Sequence, residues 1–234
     1  MNKLEYTMTA WPSNGLPATL AERTRRIYDR LAPVYGISTK LFHSRAHRRA
    51  LEISEIRNGT RVLEVATGSG EMFRRLVRAN QAGSTLGIDL SPNMASHTQD
   101  RVKREFPGST TQCHAVDARQ MPFRDATFDA VVCCYLLELL SGEDIVRTIG
   151  EFHRILRRRG DLVLVLIGQN KAGFNGIYRM CGKVAPAFWG RQVEERVPEL
   201  VEANDFRIIR DAKVRQIFYP SRVLVARKQA EYTS

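Results

Sequence analysis

"RVLEVATGSG" (residues 61–70) is the stretch that decides the fold. An apolar run carrying one carboxylate, Glu64, ends in a turn of small residues punctuated by Gly68 and Gly70. "EMFRRLVRA" (71–79) follows, with Phe73, Leu76 and Val77 at helical spacing. Strand, glycine turn and helix in that order bring backbone N–H groups and the positive end of a helix dipole to one point. The glycines let backbone approach a ligand closely. A dinucleotide loop, G-x-G-x-x-G, would need a third glycine at position 73, and the chain has Phe73 there.

Outward from this unit the pattern repeats. "STLGIDL" (84–90) reads as a strand, and Ser91 caps a helix with Pro92 at its first position, running to Phe106. "TQCHAV" (111–116) is a strand, and "FDAVVCCYLL" (128–137) a strand entering a loop. Residues 142–160 read as a helix ended by Gly160, and "DLVLVLIG" (161–168) as a strand. Alternating strands and helices imply an α/β fold, a parallel sheet with helices on both faces. The almost unbroken apolar strands fit burial on both sides. After Gly168 the alternation stops: 174–190 and 191–205 read as an inserted helical segment, and two closing strands follow near 206–212 and 214–227. Before the core, a helix is expected from Thr19, with Glu22 completing a capping box, to Ala32, and a second over 42–57. The domain reading is an irregular arm (1–18), a helical cap (19–58) and a core (59–228) that carries a helical lid insertion (170–204).

The bulk numbers bound the function. The 234 residues are 43% hydrophobic and 26% charged, which suits a globular chain with a sizeable core and excludes a disordered one. The four cysteines form no CxxC pair, and Cys133 and Cys134 are adjacent within a strand, which argues against a disulfide scaffold or a zinc ribbon. No apolar run reaches membrane-spanning length and the N-terminus lacks a signal-peptide core, so a cytoplasmic location, with peripheral membrane contact, is the expectation. A net charge of +11 permits attraction to nucleic acid, an anionic membrane or acidic ligands without choosing among them. The clusters at 23–26, 45–49 and 157–159 read mostly as solvated helix faces.

In an open parallel sheet, ligands bind beyond the carboxyl ends of the strands. Asp89 ends the second strand 19 residues after Gly70, where an acid about 20 residues on receives ribose hydroxyls. Its plainer role is an acid beside the Ser91 cap. Asp117 ends the third strand and could receive an adenine amino group, or serve only as a turn residue. Glu64 repels phosphate but suits an ammonium group, and Phe73 fits a ligand without a pyrophosphate bridge. A nucleoside carrying an amino acid meets all these demands, and that ligand is S-adenosyl-L-methionine, with S-adenosyl-L-homocysteine as the product of its use.

With those residues in place, a resemblance is visible. "VLEVATGSGEMFRRL" resembles the first motif of class I S-adenosylmethionine-dependent methyltransferases, "GIDLSPNM" the second, and "DARQMPFRDATFDAVVCCYLLELL" the third and fourth. "EFHRILRRRGDLVLV" resembles the helix and strand that follow. Ala66 stands where this family most often has glycine, and a small residue fits. "RIYDRLAPVYGISTKLF" (26–42) resembles the UbiE-like subfamily, the ubiquinone/menaquinone biosynthesis C-methyltransferases and related phospholipid N-methyltransferases. The resemblance implies a Rossmann-like, seven-stranded sheet of order 3-2-1-4-5-7-6 with strand 7 antiparallel. It implies a cofactor site of Glu64, Ala66, Thr67, Gly68, Gly70, Asp89, Leu90, Met94, Asp117, Ala118 and Tyr135. Tyr28 and Tyr35 would touch the methionine end or the substrate, or simply pack their helix.

Methyl transfer from a sulfonium needs positioning and exclusion of water rather than a metal or a protein nucleophile. The place after strand four lacks the Asn/Asp-Pro-Pro-aromatic tetrad of amino-methylating enzymes, which disfavours nucleic acid as substrate. Cys133 and Cys134 have no Pro-Cys context for cytosine chemistry. His43 and His47, four apart, could share a helix face as metal ligands but lack a third, so they read as a solvated pair; His43 beside the tyrosine loop is a candidate general base. His153 reads as structural. In the insertion, Phe174, Ile177, Tyr178, Met180, Val184, Phe188 and Trp189, with Lys171, Arg179, Lys183 and Arg191 among them, suggest a lid over an oily acceptor at an anionic membrane surface, or a helical pair packed on the sheet edge. The expectation is transfer to a small apolar or lipid-like acceptor: a quinol, a phenol or a lipid amine. The competing readings are a polar metabolite as acceptor, a non-catalytic RNA- or protein-binding module, and a nicotinamide dehydrogenase that Phe73 and Glu64 oppose. No feature specifies an oligomeric state.

Overall fold

A computed structural model describes residues 43–168, 193–216 and 219–230. The arm 1–18, the helix from Thr19 to Ala32 with Tyr28 and Tyr35, and most of the insertion 170–204 lie outside the described residues. The elements in chain order are α1 (43–54), β1 (Arg61–Val65), α2 (Glu71–Ala79), β2 (Ser84–Asp89), α3 (Pro92–Glu105), β3 (Thr110–Ala115), β4 (Phe128–Cys134), a 3-10 turn (Leu137–Leu139), α4 (Gly142–Ile155), β5 (Leu156–Ile167), α5 (Val197–Glu202), β6 (Phe206–Val214) and β7 (Ser221–Lys228).

The seven strands form one sheet of order β3-β2-β1-β4-β5-β7-β6, with β7 antiparallel to both β5 and β6 and the other pairs parallel, as the resemblance implies. The pleat sorts alternate residues to opposite faces. Leu63, Leu162, Leu164 and Leu224 join one core, beneath Ile145, Ile149 and Phe152 of α4 and Val197 and Val201 of α5. Val62, Val163, Val223 and Val225 join the other, beneath Ala46 and Ala50 of α1 and Met72 and Leu76 of α2. That two-sided burial is why these strands lack polar alternation, and each such side chain contributes about 1.5–3 kcal/mol.

Several boundaries differ from the sequence reading, one of them for a reason of pairing. The helix expected over 142–160 ends at Ile155, and β5 begins at Leu156, whose backbone is already extended. Pairing decides this: Leu156 registers against Phe128, Thr127 donates its N–H to the Ile155 carbonyl, and Arg157 reaches Asp129 at 2.6 Å. Gly160 is therefore no helix stop. It sits in a crowded bulge, where a Cβ would lie 2.9 Å from the Arg157 carbonyl oxygen. The second helix, expected to 57, ends at residue 54. Of the helix expected over 191–205, the described part is helical at Val197–Glu202, with Pro198 in its first turn.

Candidate active site

The β1–α2 loop is held in shape by its own backbone and by Asp89. The Thr67 N–H reaches the Ile88 carbonyl at 3.1 Å, and the Gly70 N–H the Thr67 carbonyl at 2.8 Å. The Gly68 N–H donates to Asp89 Oδ2 at 2.8 Å and the Ser91 N–H to Oδ1 at 2.9 Å. Asp89 thus ties the β1 loop to the start of α3, and Ser91 caps α3 through the Met94 N–H. Ala66, Gly68 and Gly70 all have positive φ, at 62°, 48° and 73°. For Ala66 that left-handed backbone costs about 1–2 kcal/mol that glycine would avoid.

This loop frames a cavity of about 460 Å³ at the carboxyl ends of β1, β2, β3 and β4. Of the cofactor candidates, Glu64, Ala66, Thr67, Gly68, Asp89, Leu90, Met94, Asp117, Ala118 and Tyr135 line it, and His43 joins them. Gly70 does not. It lies behind the loop, where a Cβ would press to 2.8 Å of Thr98 Oγ1, so its part is to let α3 approach.

The electrostatics disfavour a phosphate. Glu64 is 1% exposed and its Oε2 has no hydrogen-bond partner among the described residues. Burial, and then the Asp89 charge, push its pKa well above the usual carboxylate range. The N-terminal end of α2 already carries an anion of its own: Glu71, buried on the cavity wall and paired with Arg101 at 3.1 Å and Arg75 at 3.3 Å. At the other edge, the Arg119 fork grips Asp117 at 2.7 Å and reaches Asp144 at 3.3 Å. Burial pushes Asp117 up, but the Arg119 guanidinium and N–H outweigh it and hold the carboxyl below its usual range.

Far from Asp117 in the sheet order, α1, the end of β4 and β7 bring aromatic and imidazole rings together. Tyr135 has φ 56° and donates or accepts at Ser221 Oγ, 2.8 Å away, and Gln216 Nε2 donates to its hydroxyl. The His43 ring lies 4.2 Å from the Tyr135 ring, tilted by 31°, and its Nε2 hydrogen bonds the Tyr219 hydroxyl. The expected solvated His43–His47 pair is overturned. His47 is 3% exposed, because α1 turns His43, Ala46, His47 and Ala50 toward the sheet at i, i+3, i+4 and i+7. The two alanines were the signal that could have found His47. Arg119, Glu71 and Arg147 also line the cavity without having been singled out, since their charges suit solvated helix faces equally well. Cys133 and Cys134 are thiols pushed far up by burial, hence inert. Among the described residues no three His, Cys, Asp or Glu side chains are placed to hold a metal ion, and no helix is long and apolar enough to cross a membrane.

Residues 62–160 match the family described as a methyltransferase domain. The 2-phytyl-1,4-naphtoquinone methyltransferase of Nostoc sp. strain PCC 7120 is 29% identical over 59% of this chain and 62% of its own length. The demethylmenaquinone methyltransferase of Thermus thermophilus is 27% identical over 76% of this chain and 84% of its own. The chain thus spans about three fifths of the first of these relatives, 62% of it. In fold it is similar to magnesium protoporphyrin IX methyltransferase from Synechocystis PCC 6803, solved with S-adenosylhomocysteine, with a TM-score of 0.70 at 19% identity over 90% of this chain and all of that one (100%).

Proposed function

We propose, for a chain that carries a UbiE-like methyltransferase domain on a class I methyltransferase fold, that it transfers a methyl group from S-adenosylmethionine to a quinol-like aromatic acceptor. One observation carries this reading: a single cavity is acid-lined around the β1 loop and ring-lined at His43 and Tyr135. When bound, S-adenosylmethionine supplies an electrophilic methyl group on a sulfonium.

The donor groups fit that cofactor. Glu64, buried with its Oε2 unpartnered among the described residues, would take the ammonium; Ala66, Thr67 and Gly68 would lie along the methionine tail. Asp89, which accepts from the Gly68 and Ser91 N–H groups at the end of β2, would receive the ribose hydroxyls. Asp117, held ionised by Arg119, would accept from the adenine amino group between Leu90, Met94 and Ala118. Gly70 supports the loop from behind. Tyr135 closes the wall. Burial lowers His43 to about 4, so its imidazole is neutral at physiological pH. With Nε2 engaged by Tyr219, Nδ1 is the nitrogen that would draw a proton from the acceptor. Tyr28 and Tyr35, outside the described residues, are kept in this proposal as candidate contacts to the methionine end or the acceptor.

Peripheral contact with an anionic membrane belongs to the same reading, because a quinol with an isoprenoid tail lives there. A groove lined by Arg45, Arg48 and Arg49 of α1 and Lys213 and Arg215 near the end of β6 supports it. The test of function is twofold. Calorimetry should show S-adenosylhomocysteine binding, lost about a hundredfold in Asp89→Ala, with no binding of NAD. Labelled S-adenosylmethionine should methylate a reduced 2-phytyl-1,4-naphthoquinone. Transfer confined to water-soluble catechols would replace the quinol with a polar acceptor.

A further inference from the structure

Among the described residues, neither ring nitrogen of His47 has a hydrogen-bond partner, and the side chain is 3% exposed. The ring stands on the cavity wall, 5.8 Å from the His43 ring and 6.1 Å from the Tyr135 ring, centroid to centroid. It shares its side of the sheet with Ala46, Ala50 and Met72, which offer it nothing polar. Burial, then His43, then Arg75 across on α2, keep it uncharged. A neutral imidazole presents one N–H donor and one bare acceptor nitrogen. Leaving both unmatched in the interior is costly, and a ligand group that satisfies either would gain from the site at once.

The surroundings select that group. A carboxylate needs more than the one donor that a neutral imidazole provides, and the burial that keeps Glu64 on the same cavity wall from ionising readily disfavours an anion here too. An ammonium would find a single lone pair here, in the field of the Arg75 cation that already lowers the pKa of the ring. A hydroxyl both donates and accepts, which is the complement of this ring. The flanking His43 and Tyr135 rings, tilted by 31°, favour that hydroxyl on a flat aromatic frame.

We infer that His47 is the acceptor-binding residue that hydrogen bonds the substrate's aromatic hydroxyl, so that this cavity selects phenol- or hydroquinone-type substrates over unhydroxylated or amine ones. The inference rests on the proposed methyltransferase reading and names the group that reads its substrate.

The test is binding, not turnover. The chain, with and without S-adenosylhomocysteine, is titrated with 2-naphthol and with 2-methylnaphthalene, equal in shape but lacking the hydroxyl. The wild type should prefer 2-naphthol by about tenfold or more. His47→Phe should abolish that preference while binding 2-methylnaphthalene and S-adenosylhomocysteine as the wild type does. His47→Asn, which keeps a donor and an acceptor, should retain part of it. Thermal melting checks that both variants fold, and His47→Phe should melt no lower than the wild type. No hydroxyl preference in the wild type, or a preference that survives His47→Phe, overturns the inference. A tenfold loss of S-adenosylhomocysteine affinity in His47→Phe also overturns it, by assigning the ring to the cofactor. Failure of the wild type to bind S-adenosylhomocysteine would strike the methyltransferase reading instead, and the naphthol comparison still decides what His47 reads.

Discussion

Phe73, which breaks the dinucleotide pattern, is fully buried, and the space it needs is provided by Gly87 on β2. A Cβ at residue 87 would lie 2.7 Å from Thr67 Cγ2, 2.8 Å from Cys113 Sγ and 3.0 Å from Phe73 Cε2. The glycine that a dinucleotide loop keeps on its helix has its counterpart here on the strand. Gly87→Ala should therefore cost about 1–3 kcal/mol in urea unfolding. Phe73→Leu should recover part of that loss in the double variant, and strict additivity would refute the pairing. Nothing in "LGIDL" betrays this role, because the neighbours of Gly87 come from α2, β3 and the β1 loop; Glu64 and Asp89 were legible because chemistry alone makes them conspicuous at strand ends. Glu138 is a second residue whose state only the fold reveals. Its Oε1 accepts the Ile167 N–H at 2.6 Å and its Oε2 is buried without a partner among the described residues. Burial pushes its pKa up to about 7, with the Ile167 bond pulling the other way and Glu194 adding to the rise. The folded chain then holds a proton that the unfolded chain gives up in the ordinary carboxylate range. Its stabilising effect is complete below that range and lost as pH rises toward 7. From pH 5 to pH 8 the wild type should lose on the order of 3 kcal/mol more than Glu138→Gln in urea unfolding. Equal losses would mean that Glu138 is ionised throughout.

The end of α4 shows what an element owes to its partners. Arg154 bonds Glu151 through Nε at 2.6 Å, Asp125 and the Phe123 carbonyl through Nη1, and the Met121 carbonyl through Nη2 at 2.9 Å. Its own carbonyl accepts from the Ala126 N–H. This one side chain fastens α4 to the connection that leads from Asp117 to β4. Arg154→Ala should cost about 2–3 kcal/mol by leaving the Phe123 and Met121 carbonyls without this donor and Glu151 with only the Met121 N–H, read as a lowered midpoint in urea. Arg154→Lys should restore little, since an ammonium cannot reproduce the fork. A variant that unfolds with the wild type would show the fork to be a surface ornament. The alternation that gives the sheet was legible because the inner strands β1, β2, β4, β5 and β7 are apolar on both faces, while the edge strands β3 and β6 are polar and half exposed. "LRRRG" was misread for an equally physical reason: three arginines favour helix locally, and only pairing with Phe128 and Asp129, 28 residues away for the Arg157–Asp129 contact, makes the segment extended. The same distance effect hid His47, whose burial depends on where α1 lands.

Over the whole molecule, the charge of +11 is not spread evenly in consequence. Many surface arginines are paired, such as Arg222 with Asp211 at 2.8 Å and Arg227 with Asp161 at 2.8 Å. In the groove between α1 and the end of β6, Arg49 has Glu52 at 3.4 Å, while Arg45, Arg48, Lys213 and Arg215 have no ion-pair partner among the described residues. The same helix that turns His43 and His47 to the cavity thus turns its cations to solvent. The sequence reading placed membrane contact in the insertion 170–204 and took the 45–49 cluster for a solvated face; the packing of α1 beside β6 is what gathers it with Lys213 and Arg215. Each cation near an anionic surface contributes about 1 kcal/mol, and the attraction fades over the Debye length, about 10 Å at 0.1 M salt. Sedimentation with vesicles should therefore show binding to mixtures containing phosphatidylglycerol, little to pure phosphatidylcholine, and release as sodium chloride rises from ~0.05 M to ~0.5 M. Reversing three charges, in Arg45→Glu/Arg48→Glu/Arg215→Glu, should weaken vesicle binding by at least about a hundredfold, because three attractions become repulsions. S-adenosylhomocysteine affinity should stay unchanged, since none of the three lines the cavity. Vesicle binding that survives the triple variant would move the contact to another surface, and tighter binding to RNA than to vesicles at equal salt would replace the membrane with a nucleic acid.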